Sequence, residues 1–154
     1  MFFSRKKKKR KQGSTEENSP SSPTENRSRR LAQLNASGGE YLIAGLYRVN
    51  FNSRGLIPVI LQDAETGEVI KLGYMNHWAL DYTVQQKVVF LYRRAYNRLE
   101  KFGEDKELEY EVKSFKLNRS RRAILLKVLP RGGKSSRSSF VHEIKLGNET
   151  NQIG

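Results

Sequence analysis

Arg119-Ser120-Arg121-Arg122 sets three guanidiniums within four positions, in a stretch with no acidic residue from Lys113 to Arg137. A guanidinium is planar, permanently charged and able to meet a phosphate with two parallel hydrogen bonds, so this crowding favours capture of a phosphate-bearing anion. The same block holds Lys113, Lys116, Lys127, Arg131, Lys134 and Arg137, nine basic residues in all. Aliphatic residues interleave with them, which places the block in folded structure. Upstream, Tyr92, Arg93, Arg94, Tyr96 and Arg98 mix aromatic rings with cations, a pattern suited to RNA contact and base stacking. The competing reading of both stretches is a charged edge loop and solvated strand faces.

A third basic feature is the run of seven at residues 5–11, including Lys6, Lys7, Lys8, Lys9 and Arg10, followed by a Ser-, Pro-, Asn- and Glu-rich stretch over 14–28. Such a run repels itself and has nothing to bury, so residues 1–30 are expected to form a disordered tail. It would serve as a polyanion tether or a nuclear-import signal, or simply as a solubilising tail. Phe2 and Phe3 beside it make only a weak membrane anchor. Charge is segregated along the chain: net +7 over 1–30, −2 over 31–112, +9 over 113–137 and −1 over 138–154, within a total of +13. Two basic blocks on a nearly neutral body favour counterion-release contacts with nucleic acid.

Other chemistry is poorly supplied. With no cysteine, disulfides, thiolate zinc sites and thiol nucleophiles are excluded together. The two histidines, His77 and His142, suggest no triad; His77 is expected at a solvated or cap-adjacent helix start and His142 at an exposed strand end. The glycine pairs at 38–39 and 132–133 lack the spacing of a phosphate-binding loop. No catalytic residue, metal ligand or cofactor is therefore assigned. No apolar run reaches the roughly 18 residues of a membrane span, and Met1-Phe2-Phe3 runs straight into charge, unlike a signal peptide. The expected location is the cytoplasm, with nuclear import in a eukaryote.

The elements that must position these groups follow from local patterns. Residues 31–146 suit one domain, with a polar tail over 147–154. Residues 56–61 read as a strand, 63–68 as a turn with Gly67 at positive φ, and 69–75 as the returning strand of a hairpin. Asn76 suits the N-cap of a helix to about Gln86, with Ala79, Leu80, Thr83 and Val84 on one face. Residues 87–92 form a short apolar strand, and Leu108, Tyr110 and Val112 alternate with charge as in a half-exposed strand. The apolar run at 123–129 reads as a central strand. Residues 31–51 are ambiguous, and 104–107 read as a solvated acidic turn. The fold class is α+β, mainly antiparallel, with one main helix.

Gly55-Leu56-Ile57-Pro58, Gln62-Asp63, Thr66-Gly67-Glu68-Val69, Tyr74-Met75-Asn76 and Ala79-Leu80 follow in an order and spacing that resemble phosphoribosyl-AMP cyclohydrolase, a histidine-biosynthesis enzyme. The likeness runs from Arg54 to about Val128 and includes Leu99, Lys101 and Gly103, then Lys116-Leu117 and the apolar run at 123–128. Where that family has a metal-binding Asp-Cys-Asp-x-Asp run, this chain has Asn118-Arg119-Ser120-Arg121-Arg122. Ser138-Ser139-Phe140 resembles the family's Ser-Cys-Phe with serine for cysteine, and the Cys-His-Thr-Gly motif that carries the family's catalytic histidine is missing. The resemblance implies an intertwined homodimer with sites between chains, where the acidic turn at 104–107 of one copy would meet the basic block of the other. It also implies zinc activation of water, for which the aligned residues supply neither thiolates nor carboxylates.

The expectation is a cyclohydrolase-like domain without catalysis that binds a polyanion: RNA, a ribonucleoprotein or DNA. The contacts would be Lys6 to Arg10, Arg93, Arg94, Arg98, Arg119, Arg121, Arg122, Arg131, Lys134 and Arg137. The alternatives are a protein-interaction or structural subunit using the inherited fold, and a related hydrolase or nucleotide binder.

Overall fold

A computed structural model describes residues 22–132 and 137–147. The chain divides into two compact units, Met1–Ala32 and Gln33–Gly154. In the first, the described residues begin helix α1 (Pro23–Ser37). Ser22 Oγ accepts the Glu25 N–H at 3.1 Å while the Glu25 carboxylate accepts the Ser22 N–H at 3.2 Å. This is a reciprocal capping box, with Pro23 in the first helical position where its missing N–H costs nothing. The helix overlaps the last eight residues of the tail expected over 1–30, where composition argued against a buried face but a local start signal was present. The basic run at 5–11 lies outside the described residues.

The second unit is α+β and mostly antiparallel. Strands β1 (Gly39–Ile43) and β2 (Tyr47–Phe51) form a hairpin, which resolves the ambiguous stretch. Strands β3 (Ile57–Asp63) and β4 (Val69–Met75) form the expected second hairpin. Its turn is held by Asp63 Oδ1, which accepts the N–H of Glu65 at 2.8 Å and of Thr66 at 2.9 Å, with Gly67 at φ 80°.

Helix α2 (His77–Gln86) starts at Asn76, whose side-chain oxygen accepts the Ala79 N–H at 2.9 Å. Ala79, Leu80 and Thr83 are buried, and Thr83 ties helix to sheet, since its hydroxyl accepts the Phe90 N–H at 3.0 Å. Of the two positions expected for His77, it takes the cap-adjacent one, directly after Asn76, and is not solvated. It is 1% exposed, with its ring 4.6 Å from that of Trp78 and 6.2 Å from that of Tyr41, because the first turn of α2 packs against the β1–β2 hairpin.

Strands β5 (Phe90–Arg93) and β6 (Arg98–Lys101) flank a 3-10 turn at Arg94–Tyr96. A second 3-10 turn, Glu104–Lys106, leads to β7 (Glu109–Leu117) and β8 (Ile124–Arg131). The four-stranded sheet has the order β4-β3-β8-β7, so β8 is central, and it pairs parallel to β3 from Val59↔Ile124 to Asp63↔Val128. Ile57, Val59 and Leu61 on β3 and Ile124, Leu126 and Val128 on β8 are all buried, the period-2 signature of one covered face. No helix among the described residues is long and apolar enough to cross a membrane.

Candidate phosphate-binding surfaces

The turn joining β7 to β8, residues 118–123, carries Arg119, Arg121 and Arg122. Asn118 organises it: its side-chain oxygen accepts the N–H of Arg122 at 2.9 Å and of Ala123 at 3.1 Å. Its backbone accepts the Arg121 N–H at 3.0 Å and donates to the Ala123 carbonyl at 3.1 Å. Arg121 sits at φ 61°, a left-handed conformation that only a well-determined turn imposes on an arginine. The turn is also docked onto β2. Asn50 donates its backbone N–H to the Arg121 carbonyl at 2.8 Å and its side-chain amide to the Ser120 carbonyl at 3.2 Å.

The three guanidiniums are therefore not equivalent. Arg121 Nη1 donates to the Arg48 carbonyl at 3.3 Å, which directs it towards β2. Arg119 and Arg122 are exposed and make no ion pair among the described residues. The sequence argument named Asn118 only as the start of the altered metal-binding run and gave it no role in the turn, although asparagine is a frequent turn former.

A second group gathers around Tyr96. The guanidiniums of Arg93 and Arg98 lie 5.7 and 5.9 Å from its ring centroid, at the outer range of cation–π contact. Both also pair with Glu100, at 2.9 and 3.2 Å, so one carboxylate holds two arginines. These residues, with Arg137, Lys71 and Lys106, line a cleft of about 450 Å³. Ser139 borders it, fixed to β4 by its N–H at 2.7 Å and its hydroxyl at 3.0 Å from the Ile70 carbonyl. Arg94 goes elsewhere, to a cleft with Arg54, Trp78 and Tyr92.

Arg131 belongs to neither group. It lies opposite Glu109 in the β7–β8 ladder and contacts Glu109 at 3.4 Å and Glu111 at 3.6 Å. The basic block lacks acidic residues in sequence, but strand pairing supplies two, and this removes Arg131 from the free cations. Glu109 is held below the ordinary glutamate pKa by the hydrogen bond and charge of Lys101, with Arg131 adding to both. The expected contacts thus form separate groups, with the turn at one end of β8 and Arg131 at the other. Lys6 to Arg10 and Lys134 lie outside the described residues.

The aligned metal positions do not fit zinc. The Asn118 side-chain oxygen is taken by two backbone N–H groups, Arg119 and Arg122 are cations, and the Ser139 hydroxyl donates to the Ile70 carbonyl. Such a set offers neither the thiolates nor the carboxylates that hold the ion. Among the described residues no three His, Cys, Asp or Glu side chains are grouped to hold a metal. His142 is exposed, as expected, although its segment forms no strand.

No protein-family model matches the chain. Among curated proteins, the chain is similar to the histidine biosynthesis bifunctional protein HisIE of Staphylococcus aureus (strain COL), at 37% identity over 107 residues. That match covers 68% of this chain and 50% of the relative. The protein of the same name from Staphylococcus epidermidis (strain ATCC 12228 / FDA PCI 1200) is 44% identical over 80 residues, 52% of this chain and 38% of the relative. The chain spans about half the length or less of the curated relatives it matches.

Proposed function

The chain is related to the phosphoribosyl-AMP cyclohydrolase family, and from that premise we propose that it is a non-catalytic member that binds RNA or another polyanion through its basic clusters. The observation that carries this reading is the 118–123 turn. It is tied by Asn118, docked on β2, and presents Arg119 and Arg122 to solvent with no carboxylate in contact among the described residues. A backbone already fixed in its turn loses little conformational freedom when the two guanidiniums it carries meet phosphates. The residues at the aligned metal positions support the non-catalytic half of the proposal, since they cannot supply the ligands that activate water.

The test is binding of a short labelled RNA, followed by fluorescence anisotropy across a salt series. Affinity should fall steeply with salt, and Arg119→Glu/Arg122→Glu should weaken binding by about tenfold or more and flatten the salt slope by about 1 to 2. Lys87→Glu, outside the turn, should have a smaller effect. Affinity that is flat in salt, or equal in the turn variant and the Lys87 variant, overturns the proposal.

The Tyr96 cleft favours a second reading, a nucleotide ligand with its base against the ring and its phosphate at Arg98 and Arg137. Protection of Tyr96 from iodination by mononucleotides but not by RNA would favour it.

A further inference from the structure

Building on the RNA-binding reading above, we infer that the cleft lined by Arg54, Trp78, Tyr92 and Arg94 receives one unstacked nucleotide of a single-stranded RNA. Its base would lie against the Trp78 indole and its phosphate between the two guanidiniums. The cleft holds about 370 Å³, in the range of a small-ligand site. Such a space suits a single splayed nucleotide, whose unpaired base offers a face for stacking.

Trp78 is the single tryptophan of the chain, and it is 53% exposed. An indole left open beside cations is a platform on which any base can stack, because every base has a π-face. The ring is also held in place: its centroid lies 4.6 Å from that of His77, which is buried. One contact thus anchors the indole while much of its surface stays open. Tyr92 is half-buried, and its hydroxyl donates to the side-chain oxygen of Asn97, which also lines the cleft.

The cations of this cleft are uncommitted. Arg54 and Arg94 are exposed and make no ion pair among the described residues, and no carboxylate is among the residues lining the cleft. The Tyr96 cleft differs, since Glu100 already holds both Arg93 and Arg98 there. Both free arginines stand on ordered backbone. Asn52 Oδ1 accepts the N–H of Arg54 at 2.9 Å and of Leu56 at 3.1 Å. Gly55 sits at φ 74°, and a Cβ there would lie 2.7 Å from the Leu34 carbonyl oxygen, so glycine lets α1 close on this loop. On the other side, the Asn97 N–H donates to the Arg94 carbonyl at 3.1 Å and closes the 3-10 turn. Guanidiniums carried on such fixed loops meet a phosphate at little cost in backbone freedom.

Because Trp78 is the only tryptophan, its fluorescence reports on this cleft alone. The probes are a short oligoadenylate RNA and an abasic ribose–phosphate chain of the same length and charge, titrated into the full chain. Oligoadenylate should quench Trp78 saturably and bind about tenfold more tightly than the abasic chain, the effect of stacking one base. By anisotropy of labelled probes, Trp78→Ala should abolish that preference without changing the salt slope, and Trp78→Phe should retain most of it. Arg54→Gln/Arg94→Gln should weaken both probes and flatten the salt slope by about 1. Oligoadenylate binding without quenching, or equal losses for both probes in Trp78→Ala, overturns the assignment of the cleft and leaves the polyanion reading standing. Failure of both probes to bind at low salt overturns the two together.

Discussion

The side-chain oxygen of Asn118 accepts the backbone N–H of Arg122 at 2.9 Å, so a neutral amide holds the turn that displays the guanidinium. A second N–H, from Ala123 at 3.1 Å, meets the same atom. In the related family the aligned position begins a metal-binding run. Here the same place in the chain serves to fix a turn.

Asn118→Ala removes the acceptor for both N–H groups. Because the site is exposed and water can replace part of the loss, the expected cost is about 1 kcal/mol in urea unfolding. RNA affinity should fall with it, since Arg119 and Arg122 would no longer be held in a fixed turn. Asn118→Asp keeps an acceptor oxygen and should restore the stability. Equal stability of parent and alanine variant would show that the backbone bonds of the turn suffice.

The cap of α2 is buried, with Asn76 only 5% exposed and bonded to the Ala79 N–H. Asn76→Ala should cost about 1 to 2 kcal/mol, whereas Asn76→Asp or Asn76→Ser should recover most of it. The check is a denaturant series at fixed slope. A neutral alanine variant would mean that another group takes over the orphan N–H.

The acidic pair on β7 gives a pH signature. Glu109 is held below the ordinary value of 4.5 chiefly by its hydrogen bond to Lys101, and Glu111 likewise by Lys113, with Arg131 contributing to each. A carboxylate with a lowered folded pKa stabilises above the ordinary unfolded value. It loses that contribution as pH falls through the lowered one. The stability difference between the parent and Lys101→Met/Lys113→Met should therefore be present at neutral pH and shrink as pH drops below 4.5. It should also shrink at high salt, because these carboxylates are open to solvent. A difference independent of both pH and salt would assign the effect to packing of the lysine stems.

Local signals made much of the fold legible. The 63–68 turn, the Asn76 cap and the alternation through Tyr110 and Val112 each depend on residues within a few positions of one another. The resemblance to the cyclohydrolase family was legible for the same reason, being carried by short motifs in order. The capping box at Ser22 and Glu25 was equally local and was obscured by the polar composition around it.

The sequence by itself therefore determined where turns, caps and period-2 strands lie, that no thiol chemistry is possible, and that cations concentrate after Lys113. Only the tertiary structure decided which groups meet. Parallel pairing of β3 with β8 joins segments more than 60 residues apart, and the β7–β8 ladder sets Glu109 against Arg131, leaving Arg119 and Arg122 without a carboxylate among the described residues. It also buried His77 and divided the arginines among a turn, two clefts and the ion pairs of β7. The physical reason is that turns and caps are satisfied by neighbouring backbone groups. Strand partners and ion pairs are selected by burial and register across the whole sheet, which no short stretch of sequence contains.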